Sequence, residues 1–200
     1  MLTEYSTYDD IRKFRDKVLE KYEDMKAGWL GKKILRQVVL WKRDRKDYSM
    51  YQTFKLDNQV VELEIYPAFY ADGTYTSKWY NFRLCTSFDT NKGRVSMMFS
   101  KTTDDIYFWT PHCMSRFKAR FNSIAIPHIA AMEKVPYERD GRRFEFILHE
   151  DSVFIARRPE PDIVICITFL HRDMCTSKNY QELFDRAGKD IDENDIYIWK

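Results

Sequence analysis

His112, Arg116 and Arg120 stand four residues apart in the segment Thr110-Pro111-His112-Cys113-Met114-Ser115-Arg116-Phe117-Lys118-Ala119-Arg120-Phe121. On an α-helix, four residues turn the chain by about 400°, so the three side chains form one row, each ~6 Å beyond the last. An imidazole and two guanidiniums cannot pair with one another. They need carboxylates from elsewhere in the fold, or an anion from solution. Phosphate suits them chemically: a guanidinium offers a bidentate fork, and an imidazole can carry a proton near neutral pH. The structural alternative is an ordinary solvated helix face, or Arg116 tied to a core carboxylate such as Glu145. Spacing alone leaves both open.

The neighbouring sequence says how such a row would be positioned. Pro111 suits a first helical turn, where its missing N–H costs nothing, and Thr110 suits the N-cap. The row would then begin at the positive end of a helix over 111–121. A second helical stretch is expected at about 124–132. Turn residues at Asp140-Gly141, Glu150-Asp151 and Pro159–Asp162 separate three further apolar runs. These predict antiparallel strands over 142–149, 152–157 and 162–170, with helix 111–121 packed on them. Arg142 and Arg143 open the first strand, and Arg157 and Arg158 close the second. One of each adjacent pair must face away from the core, so some of the four can line a basic surface or guard an edge. A last helix is expected at Ser177–Ala187, stopped by Gly188.

The N-terminal half supplies other elements. Ile11, Phe14, Val18, Tyr22 and Met25 form a helical stripe over 8–27, with Thr7 and Asp10 placed as a capping box. Gly28 and Gly31 are expected to stop that helix. A second helix, roughly Lys32–Asp44, puts Ile34, Leu35, Val38 and Trp41 on one side and most of its basic residues on the other. From Tyr48 the pattern becomes that of a β-meander of about five strands, with Asp57-Asn58, Asp72-Gly73 and Asn91-Lys92-Gly93 as turns. The expected class is α+β, as a single domain over 1–200. Helices occupy 1–47, the meander 48–109, helix plus antiparallel sheet 110–188, and an acidic tail 189–200.

Composition narrows the classes of function. Hydrophobic residues make up 44% of the 200, enough for a core rather than disorder. Net charge is only +2, but its distribution is uneven. Residues 32–46 carry seven cations against Asp44 alone, and 182–195 carry six carboxylates against Arg186 and Lys189. These are solvated faces, or they steer a polyanion to one side. The four cysteines, Cys85, Cys113, Cys166 and Cys175, form no CxxC. With no apolar leader and no run long enough to span a bilayer, the expectation is a cytoplasmic protein with free thiols and no membrane association. There is no Walker loop, GxGxxG or GxSxG, so ATP-driven and dinucleotide chemistry are not expected. His171 and Cys175, with His112 and Cys113, have the right chemistry for zinc. Adjacent helical residues diverge by about 100°, however, and no metal or cofactor is expected.

The Thr110–Phe121 segment resembles a largely uncharacterised bacterial and phage family. Its signature is Thr-Pro-His, three residues, Arg-Tyr, two residues, Arg at a helix start, followed by a small meander and a Thr-Phe … Asp-Met element. That element is matched here by Thr168-Phe169-Leu170-His171-Arg172-Asp173-Met174, with Gln181 at a later polar position. The layout is also similar to toxin domains of the BrnT and RelE type, in which a helix packs on an antiparallel sheet. Phe117 stands where the pattern has Tyr, and residues 1–100 have no counterpart in the short toxins. The resemblance implies a metal-independent ribonuclease, or a nucleotide-handling relative. His112 would then act as acid or base, Arg116 and Arg120 would hold phosphate, and Thr168 would orient it over the helix. Arg142 and Arg143 would extend the phosphate surface. RNA or a nucleotide is the expected partner. The rival expectation is a non-catalytic phage or mobile-element protein that sequesters a nucleotide, a nucleic acid or an acidic protein. A third is an interaction module using helices 8–44 as its partner surface.

Overall fold

The computed structural model describes residues 1–44, 49–69, 75–100, 103–121, 134–139, 142–149 and 152–171. They build an α+β protein whose chain divides into two compact units, Met1–Asp104 and Asp105–Lys200. The stretch 124–132, the helix expected at 177–187 and the acidic tail lie outside the described residues. Among the described residues, no helix is long and apolar enough to cross a membrane.

The first unit opens with α1 (Tyr8–Ala27) and α2 (Trp29–Asp44). The capping box forms: Thr7 Oγ1 accepts from the Asp10 N–H at 3.2 Å, and Asp10 Oδ2 accepts from the Thr7 N–H at 2.9 Å. Two otherwise unpaired helix-end donors are thereby satisfied. All five residues of the α1 stripe are buried. Gly28 does end α1, its N–H donating to the Met25 carbonyl. Gly31, in contrast, terminates nothing. α2 begins at Trp29, three residues ahead of the expected Lys32, and Gly31 lies inside it. A Cβ at position 31 would run into the Lys26 carbonyl oxygen. Glycine is needed there for close approach to the last turn of α1, a demand that a sequence stop signal does not reveal.

Four strands follow in antiparallel order: β1 (Met50–Leu56), β2 (Gln59–Phe69), β3 (Tyr75–Thr90) and β4 (Gly93–Ser100). Asp57 and Asn58 join β1 to β2 with φ of 47° and 63°. That is the left-handed pair of a type I′ turn, which Asp and Asn tolerate better than most residues. One face of this sheet buries Val61, Leu63, Ile65, Phe82 and Leu84, and Tyr22 of α1 stacks on Phe82 at 4.1 Å. The other face carries a cross-strand row, Tyr51–Glu64–Arg83. Arg83 Nε donates to Glu64 Oε2, and the Tyr51 hydroxyl donates to Glu64 Oε1 at 2.8 Å.

The second unit takes most of β5 (Thr103–Trp109), then α3 (Pro111–Phe121), β6 (Lys134–Arg139), β7 (Arg142–His149), β8 (Ser152–Glu160) and β9 (Ile163–His171). Its strand order is β5-β9-β8-β7-β6. The expected meander is present in β7, β8 and β9, which pair antiparallel. Two features depart from expectation. β6 is an additional strand, and it contains Pro136. Proline cannot donate to a ladder, which argues against a strand from sequence, but β6 stands at the end of the order, where proline is tolerated. Secondly, β9 returns beside β5 in parallel, from Ile106 opposite Ile163 to Trp109 opposite Cys166. The unit is therefore mostly, not wholly, antiparallel.

Replacing Gly31 with Ala should destabilise the protein by about 1–3 kcal/mol, the cost of overpacking against fixed backbone. Urea denaturation of Gly31→Ala beside Gly28→Ala gives the check. Position 28 has only ordinary contacts around an added Cβ, so the smaller loss should be at Gly28.

Candidate functional site

α3 is gripped at its start and along one side. The Thr110 backbone N–H donates to the Cys166 carbonyl at 3.2 Å. Its hydroxyl accepts from the Cys113 N–H at 3.2 Å and lies 3.2 and 3.1 Å from the Cys166 and Ile167 carbonyls, to which it donates. One residue thus caps the helix and ties it to β9. On the inner side of α3, Cys113 and Phe117 are buried, while Met114 is half-buried. The Phe117 ring meets Phe169 edge-on at 5.2 Å and lies 5.6 Å from Phe154.

With Cys113 and Phe117 turned inward, the preceding position in each turn lies on the flank. His112 is exposed and Arg116 half-buried, while Ser115 and Lys118 are exposed. Arg120 continues the row along the helix backbone, its side chain outside those described. No acidic residue stands in the first turn of α3. Among the described residues Arg116 has no ion-pair partner. Glu145, the core carboxylate expected as its alternative partner, pairs with Arg158.

The other expected site residues lie elsewhere. Phe169 faces α3, so alternation along β9 directs Thr168 to the opposite face of the strand. Thr168 therefore does not sit over the helix. Its Oγ1 is buried, with no hydrogen-bond partner among the described residues. Arg142 and Arg143 pair with Arg139 and Glu138 of β6. They stand roughly 13–17 Å along β7 from Ile147, which is level with Phe154 and Phe169. Their side chains lie outside those described. No three His, Cys, Asp or Glu residues group as metal ligands among the described residues. The His171 side chain and Cys175 fall outside them.

The sequence reading missed a second polar centre. Of the Arg157–Arg158 pair, Arg157 faces solvent and Arg158 turns inward. Arg158 donates to Asp105 at 2.8 and 3.1 Å, to Glu145 at 2.6 Å, and to the Pro161 carbonyl. The Tyr107 hydroxyl donates to Asp105 at 2.9 Å. Burial opposes the charge on Arg158, but the hydrogen bonds it donates to Asp105 and Glu145, together with their charges, outweigh it and hold the guanidinium above its ordinary range. Burial, then the Asp105 charge, pushes the Tyr107 phenol up. The paired arginines were the available signal. Which of them points inward depends on strand register.

Cys113, next to His112, is fully buried. Burial pushes its thiol up to about 12, and does the same to Cys85. Compared with known proteins, the chain matches no family model, no curated protein and no solved structure.

Arg158→Met should cost about 3–5 kcal/mol, because it strands two poorly solvated carboxylates. Arg157→Met, at the exposed neighbour, should change stability by less than about 0.5 kcal/mol. Chemical denaturation of the two variants compares them directly. The thiols carry a pH dependence. Unfolded thiols ionise near pH ~8.5. The folded state keeps these protons until about 12, so their stabilising contribution is whole below the unfolded value and is lost as pH rises between the two. Stability should fall by up to ~1.4 kcal/mol per pH unit per thiol in that window. The Cys85→Ala/Cys113→Ala double variant should show a shallower decline between pH 8.5 and 10, measured by urea titration.

Proposed function

We propose that α3 presents a phosphate-binding surface and that the protein acts on a nucleic acid or nucleotide by holding it there. One observation carries this reading: exposed His112 and half-buried Arg116 share the open flank of a helix whose first turn holds no acid, and Arg116 has no ion-pair partner among the described residues. A phosphate there would take a charge-assisted fork from Arg116 and would gain from the helix N-terminus. The resemblance of the Thr110–Phe121 segment to the phage and bacterial signature supports the same ligand class.

Between sequestration and ribonuclease-like cleavage, the geometry favours sequestration. Cleavage through the RNA 2′-hydroxyl needs one group to take a proton and another to supply one. His112 is the only histidine in the α3 sequence. Thr168, the expected second participant, points away from α3. The toxin-like cleavage reading therefore rests on His112 with Arg116 and Arg120 alone.

Arg116→Ala should weaken binding of a short oligoribonucleotide about ten- to a hundredfold, corresponding to roughly 1.5–3 kcal/mol. Its melting temperature should hardly move, because no carboxylate is stranded. Titration and thermal melting of the same variant separate the possibilities: a large loss of melting temperature with unaltered binding would end this reading. The oligonucleotide should be recovered intact in EDTA. Cleavage that disappears in His112→Ala would instead make the protein an enzyme.

A further inference from the structure

The outward side of α2 carries two parallel tracks at one spacing. Leu30, Ile34, Val38 and Trp41 are buried. At about 100° per residue, Lys32 and Arg36 point the opposite way, with Leu35 and Val39 along one flank and Trp29 along the other. Leu35 is 68% exposed, Val39 63% and Trp29 52%. Lys32 and Arg36 are exposed and have no ion-pair partner among the described residues. Lys33, beside them, donates to Gln52 and lies over the Trp29 ring at 6.0 Å. At the α1–α2 elbow, Ala27, Gly28, Trp29, Lys32, Lys33 and Arg36 line a depression of about 650 Å³.

We infer that this face docks an acidic amphipathic helix of a partner protein. Lys32 and Arg36 are an i, i+4 pair of cations, and Leu35 and Val39 an i, i+4 pair of aliphatics. A partner helix has the same repeat, so carboxylates in one of its rows meet the cations while aliphatics in the adjacent row cover Leu35 and Val39. A bulky side chain at the partner's end enters the depression beside Trp29. The aliphatic track decides against a nucleic acid, whose backbone offers phosphate to Lys32 and Arg36 but nothing to cover Leu35 and Val39. The order of the tracks decides against a lipid surface. Lys32 points most directly outward, with Arg36 and Val39 on either side of it and Leu35 further round, so a flat bilayer meets charge at the centre of this face rather than an apolar stripe. The surface is independent of the phosphate reading for α3.

The test uses the full chain and a synthetic amphipathic helix as long as α2, with leucines at i, i+4 beside glutamates at i, i+4 and a terminal phenylalanine. The wild-type protein should bind this peptide. Versions with Gln for Glu, or Ala for Leu, should each bind roughly tenfold more weakly, since each removes one of the two tracks. On the protein side, Lys32→Glu/Arg36→Glu should lose about tenfold or more, and Leu35→Ser/Val39→Ser roughly fivefold. Both pairs are exposed, so melting curves should match wild type, and Arg116→Ala should bind the peptide normally. Polyuridylate and phosphatidylserine vesicles serve as competitors for the role. No binding of the peptide overturns the inference. So does indifference to the peptide's Leu→Ala change, or tighter binding of polyuridylate or vesicles than of the peptide. Because the peptide variants are read on the wild-type chain, the outcome does not depend on any protein variant folding.

Discussion

The burial of Phe117 against Phe154 and Phe169 sets the rotation of α3, and everything proposed for that helix follows from it. A helix can turn about its own axis unless something bulky is trapped beneath it. Here an aromatic ring fills that place, and Thr110 holds the helix start to the β9 carbonyls. Burying a Phe side chain contributes about 1.5–3 kcal/mol, and aromatic pairing adds to it. With the inward side committed to Cys113 and Phe117, His112 and Arg116 have to lie on the open flank. The cations are thus presented to solvent by an apolar contact on the far side of the helix.

Both units also bury charge, and both do so across strands. In the first, Glu64 is placed between Tyr51 and Arg83 by the pairing of β1, β2 and β3. In the second, Arg158 bridges Asp105 of β5 and Glu145 of β7 and reaches the turn before β9. Buried ion pairs of this kind add little net stability compared with apolar packing, yet losing one partner is costly. Their geometric effect is to penalise any shift in register: a one-residue slip would move each charge to the other face of its sheet.

α2 shows how one helix can serve two surfaces. Its inner stripe packs in the first unit, while Leu35, which a simple apolar grouping assigns to that stripe, is exposed. The buried line is set by Leu30 and Trp41 as well as Ile34 and Val38. Once those four are inward, Leu35 falls outside the arc that a neighbouring sheet can cover. The exposed aliphatics Leu35 and Val39 then run beside Lys32 and Arg36, which have no ion-pair partner among the described residues, at the same i, i+4 spacing.

Local chemistry alone determined much of this protein. The capping box at Thr7 and Asp10, the α1 stripe, the Asp57-Asn58 turn, the Thr110-Pro111 helix start and the strands on either side of Glu150-Asp151 all depend on residues a few positions apart, and all are present in the fold. The four-residue spacing of His112 and Arg116 on α3 is likewise a property of one helix, while the Arg120 side chain lies outside those described. What lay beyond the sequence depends on neighbours distant along the chain. The need for Gly31 comes from the Lys26 carbonyl, and β6 is allowed its proline by standing at the end of a strand order. The parallel pairing of β9 with β5 joins segments more than fifty residues apart. The inward turn of Arg158 and the outward turn of Thr168 from α3 are matters of register and of which sheet face meets the helix. Alternation in the sequence says only that adjacent side chains point opposite ways. Which of them points inward is decided when the sheet meets its packing partner.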